Sequence, residues 1–460
     1  MKILSFSSRF LVLFLMAEVL FSCGGASTGE QKEDQDLPAP MELADQLEKS
    51  LFKYILDPWY PRVIDSVNGG YHSNFTHDWV FAEGSQERAL VQQARHLWST
   101  SLVYEKYPKK EEYLDYAHRG FYFLQNFVWD EGFGGFQTYV SPEGYRVMRT
   151  LDDKRIYGQA FAIYGLSQYY RISKNPEALE LVKKAFYWME EKAHDPEYGG
   201  YFEFLHRDGS PVIREESPEL TAGFKDFNSS IHLMEAFTEL YLIWPDSLVR
   251  ERLEEMFFLI RDTFVHPDGY LRLYFEADWT HVTGEEIDTE QVFNSWFFEH
   301  YTYGHDVETA FLLLETAHVL GWEGDERTHL IAKQLVDHSL ASGWDSKNGG
   351  FYDAGAEGED GIRIVNDHKS WWGLVEGMNA LLLMHTLYPD DALDYYGLFL
   401  KSWDHIDKHL IDKDYGGWYN AATDTYPETV EQPKSHIWKT TYHNARGLLN
   451  CIKMLRSDHH

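Results

Sequence analysis

Cysteine is almost absent from this chain, whose 460 residues contain only Cys23 and Cys451. Cys23 follows an apolar N-terminal segment and, for the reasons given below, is expected to carry a lipid. Cys451 is then left without a partner. An intramolecular disulfide is therefore excluded, even in an oxidising compartment.

Basic residues are also scarce, with 41 Lys and Arg against 74 Asp and Glu and a formal net charge of −33 at pH 7. A nucleic-acid-binding surface needs a basic face for the phosphates, so the charge argues against that class of partner and favours a neutral ligand. The chain also lacks a glycine-rich loop that would cradle a phosphate before a helix. We therefore predict no nucleotide cofactor.

The apolar run at the N-terminus is short. It extends from Phe10 to Phe21, is interrupted by Glu18 and follows the basic residues Lys2 and Arg9. Such a run is too short to cross a bilayer as a permanent helix. It ends in Leu20-Phe21-Ser22-Cys23, which is similar to the lipobox of bacterial lipoproteins.

These features divide the chain into three parts. Residues 1–22 are predicted to be a lipoprotein signal peptide, and residues 23–41 the lipidated cysteine with a flexible, acidic tether. Residues 42–458 are predicted to form one catalytic domain. The expected location is the periplasmic side of a bacterial membrane, which the protein would contact only through the lipid on Cys23.

A glycine–aromatic corner recurs along the rest of the chain. Successive corners lie roughly 65 to 80 residues apart, which leaves room for two helices and a hairpin. Glycine permits the positive φ of a tight turn, and the aromatic residue then starts a short β segment. The six corners are Gly69-Gly70-Tyr71, Gly134-Gly135-Phe136, Gly199-Gly200-Tyr201, Asp268-Gly269-Tyr270, Gly349-Gly350-Phe351 and Gly416-Gly417-Trp418.

Apolar residues at helical spacing mark about twelve segments, and each corner falls between the two members of a helix pair. The second members are apolar almost all round, as in 160–166, whereas the first members are amphipathic, as in 177–191. Six such pairs close most simply into an all-α (α/α)6 barrel with short β hairpins at its mouth. The segments begin near residues 43, 86, 111, 155, 176, 228, 248, 304, 325, 369, 391 and 438.

Aromatic residues are plentiful, including 15 Trp and 30 Tyr. Most are expected to pack between helices, but the number is typical of surfaces that stack on flat, partly apolar ligands such as sugars.

The predicted inner helices carry polar residues in or near their first turns, where all six helices face one mouth. Polar groups inside apolar helices are costly unless they are partnered, so a convergent set that includes three histidines favours a functional site. Helix N-termini also present free N–H groups, which suit an anionic intermediate. The set is Arg95, Tyr157, Asn228, His232, His305, Glu308, Trp371, Trp372, Glu376, Trp438, His443 and Asn444.

Most of this set falls in five segments: Gln93-Ala94-Arg95, Ile156–Ala160, Asn228-x-x-x-His232, Gly304-His305-Asp306-x-Glu308 and Trp438-Lys439-x-x-Tyr442-His443-Asn444. The segments resemble the N-acylglucosamine 2-epimerase superfamily, and within it the cellobiose 2-epimerases. They occur in the same order, at equivalent repeat positions, and extend over nearly the whole chain after the leader.

The resemblance implies epimerisation at C2 of the reducing-end sugar of a β-1,4-linked disaccharide such as cellobiose, mannobiose or lactose. His305 and His443 would be the general acid and base, because a histidine exchanges protons near neutral pH. Arg95 would stabilise the enediolate, and His232 would assist ring opening. The residues expected to bind the substrate are Tyr157, Asn228, Glu308, Trp372, Glu376 and Trp438.

Three alternatives remain. A monosaccharide aldose–ketose isomerase or 2-epimerase would use the same barrel. A glycoside hydrolase would use Asp226, Glu308 or Glu376 as paired carboxylates, but it would leave His305 and His443 without roles. A lipid-anchored glycan-binding protein would need no catalytic residue.

We expect no catalytic metal, because no short-range ligand pair joins His232, His305 and His443 and because proton transfer at C2 needs none. We also expect a monomer.

Overall fold

Twelve long helices follow one another through the residues that the computed structural model describes, which are 39–84, 86–148, 153–214, 217, 219–283, 298–358 and 361–457. The predicted signal peptide and nearly all of the tether lie outside these residues. The helices are α1 (Pro40–Ser50), α2 (Leu90–Lys106), α3 (Glu112–Phe123), α4 (Ile156–Ser173), α5 (Pro176–Lys192), α6 (Phe227–Ile243), α7 (Ser247–Leu259), α8 (Tyr303–Leu320), α9 (Glu326–Gly343), α10 (Trp371–Leu387), α11 (Tyr395–His409) and α12 (Tyr442–Ser457).

The even-numbered helices form a closed ring. Each packs on the next even-numbered helix, and α12 packs on α2 to complete the circle. The odd-numbered helices lie outside, each against a member of the ring. The ring helices are buried on both sides, as in α4, where thirteen of eighteen residues are buried. The predicted (α/α)6 barrel is therefore confirmed.

Three predicted helix starts are about four residues too early, the first of them because Arg88–Ala89 form a strand before α2 begins at Leu90. Before α11, Asp394 adopts a left-handed conformation with φ 50°, and its carboxylate accepts a hydrogen bond from Gly397 N at 3.1 Å. Before α12, the chain around Lys439 forms a turn instead, because Lys439 Nζ is buried and donates to Trp418 O at 2.7 Å. Trp438 therefore precedes the helix to which the sequence assigned it.

All six glycine corners adopt the predicted positive φ. At the second corner, φ is 72° at Gly134 and 67° at Gly135, and Trp129 pairs antiparallel with Phe136 across the turn. A Cβ on Gly135 would also lie 2.9 Å from the ring of Trp188. Glycine is therefore required here for both conformation and space.

An ion pair that the sequence analysis did not identify braces five of these corners. An aspartate accepts a backbone N–H within the corner, and a cation from the segment before the next ring helix binds that aspartate. At the fourth corner, Asp306 Oδ1 of α8 accepts from Leu271 N at 3.1 Å instead. The pairs are Asp65–Arg88, Asp130–Lys154, Asp195–Lys225, Asp345–Lys369 and Asp412–Lys434.

Short antiparallel strands lie at the mouth, since β1, β3, β5 and β7 each lead directly into a ring helix and the other strands pair with them or with one another. β1 pairs with β2, β3 with β4 and β5 with β6, while β7, β8 and β9 form a three-stranded sheet. The strands are β1 (Arg88–Ala89), β2 (Tyr139–Val140), β3 (Asp153–Arg155), β4 (Phe204–His206), β5 (Lys225–Asp226), β6 (Tyr274–Phe275), β7 (His300–Thr302), β8 (Ala354–Gly358) and β9 (Gly361–Asn366).

Within the described ranges, none of the helices combines the length and apolar character that crossing a membrane requires. Cys451 is a buried free thiol in α12, while Cys23 lies outside the described residues.

Candidate active site

The ring helices bring the predicted site residues together at the mouth. Each helix contributes side chains from its N-terminal half, and only Trp438 comes from a turn. The contributions are Arg95 from α2, Tyr157 from α4, Asn228 and His232 from α6, His305 and Glu308 from α8, Trp372 and Glu376 from α10, and His443 from α12.

Arg95 is almost fully buried, and its guanidinium is fixed by two hydrogen bonds. Its Nη2 donates to the hydroxyl of Tyr157 at 2.7 Å, and its Nη1 donates to the carbonyl of Trp438 at 3.0 Å. The guanidinium also lies 4.3 Å from the centre of the Phe161 ring. A fixed, desolvated positive charge therefore faces the centre of the mouth.

His232 and Tyr157 form the wall beside this charge. Their rings meet edge to face at 5.3 Å. His232 Nδ1 lies 3.0 Å from a carboxylate oxygen of Glu235, one turn deeper in α6. Asn228 is exposed in the first turn of α6. Burial raises the pKa of Tyr157, so its hydroxyl stays protonated and can donate.

His305 presents a neutral imidazole. Its Nδ1 lies 2.5 Å from the hydroxyl of Thr302. Burial, followed by the neighbouring cationic forms of His232 and His443, lowers the pKa of His305 to about 3. The ring packs 4.8 Å from that of Trp372.

His443 is held by a carboxylate instead of a hydroxyl. Its Nδ1 lies 2.9 Å from Glu376 Oε1, and the acceptor-only carboxylate implies that this nitrogen carries the proton and that Nε2 is free to accept one. Burial lowers the pKa of His443 well below its usual value, against the opposing effect of Glu308. Its ring lies 5.6 Å from Trp372, so Trp372 contacts both histidines.

Arg446, which the sequence analysis missed, lies below the histidines and binds three buried glutamate side chains. It binds Glu235 through Nη1, and Glu308 and Glu376 through Nη2, the last at 2.7 Å. The hydroxyl of Tyr442 also donates to Glu235, at 2.6 Å. The Arg446 charge helps to hold the pKa of Glu235 at about 2, against the effect of burial.

A signal for this layer was present in the sequence. Glu235 follows His232 by three residues, Glu308 follows His305 by three, and Arg446 follows His443 by three. Residues three apart share a helix face, so each histidine has a charged residue one turn deeper.

Glu308, Glu376 and His443 place three ligand-type atoms within 4.8 Å of one another. Arg446 Nη2 binds both carboxylates of this cluster. The guanidinium thus occupies the shared space and supplies the positive charge that a metal would bring. The cluster therefore does not fit a metal site.

Two of the predicted substrate-binding residues, Trp438 and Glu376, differ in their exposure to solvent. Trp438 has 42% of its surface exposed and can stack on a ligand. Glu376 is fully buried beneath His443, where it orients the imidazole.

Comparison with known proteins identifies relatives of this chain. The family model for N-acylglucosamine 2-epimerase matches residues 69–446. A cellobiose 2-epimerase of Bacteroides fragilis is 27% identical over 421 residues, which cover 90% of this chain and 98% of that protein. A D-mannose isomerase of Marinomonas mediterranea is 24% identical, covering 86% and 94%. The structure of a cellobiose 2-epimerase from Spirochaeta thermophila is similar with a TM-score of 0.76 and 26% identity, covering 92% of this chain and 98% of that one.

Proposed function

Because the chain belongs to the N-acylglucosamine 2-epimerase family, we propose that it inverts C2 of the reducing-end sugar of a β-1,4-linked disaccharide. The protein is an isomerase, since the relatives are sugar epimerases and isomerases. The cellobiose 2-epimerases among them support cellobiose, mannobiose or lactose as substrates.

The observation that carries this proposal is the pair of histidines that both pack against one tryptophan. His305 and His443 come from different ring helices, and both rings contact Trp372. Both have lowered pKa values, so a neutral imidazole is present to act as a base. Two imidazoles around one carbon can serve its two faces.

The reaction needs the open-chain aldose. His232 and the Tyr157 hydroxyl are placed to exchange the protons of ring opening, and Asn228 is placed to hold a sugar hydroxyl. One neutral histidine then takes the C2 proton, and the electron pair moves to O1 to form an enediolate. The negative charge of the enediolate favours uptake of a proton from water by the other histidine, which as imidazolium delivers that proton to the opposite face of C2. The enzyme ends with its proton on the first histidine, and exchange with water restores the starting state.

Arg95 supplies the electrostatic part of catalysis. The negative charge of the enediolate develops on oxygen, and the guanidinium of Arg95 is already desolvated and fixed by Tyr157 and Trp438. A preorganised charge of this kind stabilises the intermediate without reorganisation. Trp372 and Trp438 would stack on the sugar faces.

The D-mannose isomerase relative supports a second candidate. The same enediolate yields a ketose when the proton returns to C1 instead of C2. Aldose–ketose isomerisation of a monosaccharide therefore uses the same residues and differs only in where the proton is delivered.

Proton NMR of sugars incubated with the enzyme in D2O tests both candidates. With cellobiose, mannobiose or lactose, we expect an epimeric disaccharide with deuterium at C2. A ketose product, or exchange confined to glucose and mannose, would favour the isomerase. Retention of every C2 proton would contradict both, and release of monosaccharides would support hydrolysis.

We also propose that the enzyme acts as a monomer anchored on the periplasmic side of a bacterial membrane through Cys23. The support is the lipobox-like sequence at Leu20–Cys23.

A further inference from the structure

Two acidic side chains at the mouth share one serine hydroxyl. Glu203 Oε2 lies 3.0 Å from Ser229 Oγ, and Asp226 Oδ2 makes a second, shorter contact with the same oxygen. Glu203 and Ser229 are buried, with 7% and 3% of their surfaces exposed. A hydroxyl has a single proton and can donate it to only one of the two carboxyl groups. The other contact needs a proton of its own.

The surroundings favour keeping that proton on Glu203. Burial, followed by the charge of Asp226, raises the pKa of Glu203 to about 8. Burial also raises the pKa of Asp226, while Ser229 opposes the shift. Arg155 of β3 is the cation that faces Glu203, and Glu219 already binds it at 3.1 Å.

Among the residues that the structure describes, two phenols also face the pair. Tyr274 of β6 faces Asp226, and burial raises the pKa of Tyr274 above its usual value. Tyr157 faces Glu203, and its pKa is raised as well. Neither phenol adds a charge that would draw the proton away from Glu203.

The same three residues join two ring helices at the site. Glu203 Oε2 accepts a hydrogen bond from Tyr157 N at 2.8 Å, in the first turn of α4. Asp226 Oδ1 accepts from Ser229 N at 2.8 Å and so caps α6, whose first turn carries Asn228. The chain of contacts therefore links the helix ends that present Tyr157 and Asn228.

We propose that Glu203, Ser229 and Asp226 hold one shared proton and thereby position Tyr157 and Asn228 for binding sugar. The Glu203 carboxyl donates to Ser229 Oγ, and the Ser229 hydroxyl donates to the Asp226 carboxylate. Loss of the proton at alkaline pH places two negative charges on one hydroxyl and drives the two helix ends apart. The positioning role rests on the proposed function, whereas the shared proton does not.

Glu203→Gln tests the positioning role, because the amide is uncharged at every pH and no second negative charge can develop beside Ser229 Oγ. In the wild type, we expect KM for the disaccharide to rise as the pH passes about 8, with kcat changing less. In Glu203→Gln, KM should stay level over the same range. Glu180→Gln, on the exposed face of α5, is the control and should keep the wild-type profile. A wild-type KM that does not depend on pH would overturn the positioning role.

Thermal unfolding tests the shared proton without any substrate. The folded-state pKa of Glu203 lies above the usual 4.5, so the wild type loses stability as the pH rises from about 4.5 to about 8. Glu203→Gln lacks this loss, and its Tm relative to the wild type should increase by about 2 °C or more between pH 5 and pH 8. A constant difference would overturn the shared proton. Absence of turnover on every sugar would contradict the proposed function alone. The Tm values measured at different pH would still show whether Glu203, Ser229 and Asp226 share a proton.

Discussion

The two histidines that face Trp372 differ in what holds their Nδ1 atoms. Thr302 offers His305 a hydroxyl, whereas Glu376 offers His443 a carboxylate. A carboxylate stabilises an imidazolium more than a hydroxyl does, so His443 is the better acceptor of the C2 proton. Both imidazoles are nevertheless needed, because inversion requires delivery from the opposite face.

Replacing either histidine should therefore abolish epimerisation. For His305→Asn and His443→Asn, we expect kcat on cellobiose to fall about 100-fold or more, with a smaller change in KM. Initial rates measured by NMR give both constants. His318→Asn, at the exposed end of α8, is the matched control and should behave as wild type. A single-histidine variant that retains most of its turnover would contradict the two-histidine mechanism.

Arg446 should affect turnover without touching the sugar. Lysine keeps the charge of Arg446, but its single nitrogen cannot stand in both the Nη1 position beside Glu235 and the Nη2 position beside Glu308 and Glu376. In Arg446→Lys, we expect kcat to fall about tenfold or more, which is about 1.4 kcal/mol in the barrier. Arg456→Lys, near the exposed end of α12, is the control. Steady-state kinetics measure kcat for both variants. An unchanged kcat in Arg446→Lys would show that the carboxylates orient His443 without the guanidinium of Arg446.

Chelation should leave the enzyme active. Arg446 fills the space between Glu308 and Glu376, so proton transfer is expected to depend on no metal. The measurement is turnover after dialysis against EDTA, with and without added Zn²⁺ or Mn²⁺. Loss of activity in EDTA that either ion restores would identify a metal requirement.

At the scale of elements, buried ion pairs tie the glycine corners to the segments that lead into the ring helices. Lys225 is fully buried at the start of α6, and its Nζ donates to Asp195 at 2.7 Å and to the carbonyls of Gly199 and Ala277 at 2.6 Å each. It thereby joins the third corner to the segment that leads into α6, the helix that carries His232. Removing one partner of a buried ion pair is costly, because it leaves the other charge uncompensated in the interior.

Lys225→Met should therefore destabilise the barrel. Removal of the ammonium leaves Asp195 without its cation, and we expect the free energy of unfolding to fall by roughly 3 kcal/mol. Lys408→Met is the control, because Lys408 lies on the exposed face of α11 and its pair with Asp404 should contribute less than about 1 kcal/mol. Chemical denaturation measures both. Equal effects of the two substitutions would contradict the bracing role.

At the scale of the whole molecule, the ring places six helix N-termini around one mouth. The catalytic groups then need no flexible loop to bring them together, since each is carried by a helix that its neighbours hold. The proposed leader, whose residues lie outside the described ranges, is predicted to determine where the protein is located in the cell.

Lipidation at Cys23 should anchor the full chain. We expect the wild-type protein to sediment with membranes after expression in a bacterial host, and Cys23→Ser to remain in the soluble fraction with the same specific activity. Light scattering of a form that begins at residue 39 should give a mass below 53.8 kDa, the value for the full chain, if the enzyme is a monomer. Recovery of uncleaved, soluble wild type from the cytosol would contradict the anchor.

Much of the architecture was predictable because it repeats along the chain. The glycine corners and the helical periodicity are local patterns, and both are confirmed at all six repeats. The starts of α2, α11 and α12 were missed because the strand at Arg88–Ala89, a left-handed Asp394 and the buried Lys439 end the preceding segments later than the apolar pattern suggests.

The sequence by itself determined the barrel, its mouth and the residues that face it, because helix periodicity and turn chemistry depend on neighbours a few residues away. Only the tertiary structure decided how those residues are charged and oriented. Arg446 meets its carboxylate partners across 211, 138 and 70 residues of chain, and Glu376 reaches His443 across 67. No local pattern specifies such pairings, since ring closure brings the helices together and burial then makes each pairing obligatory.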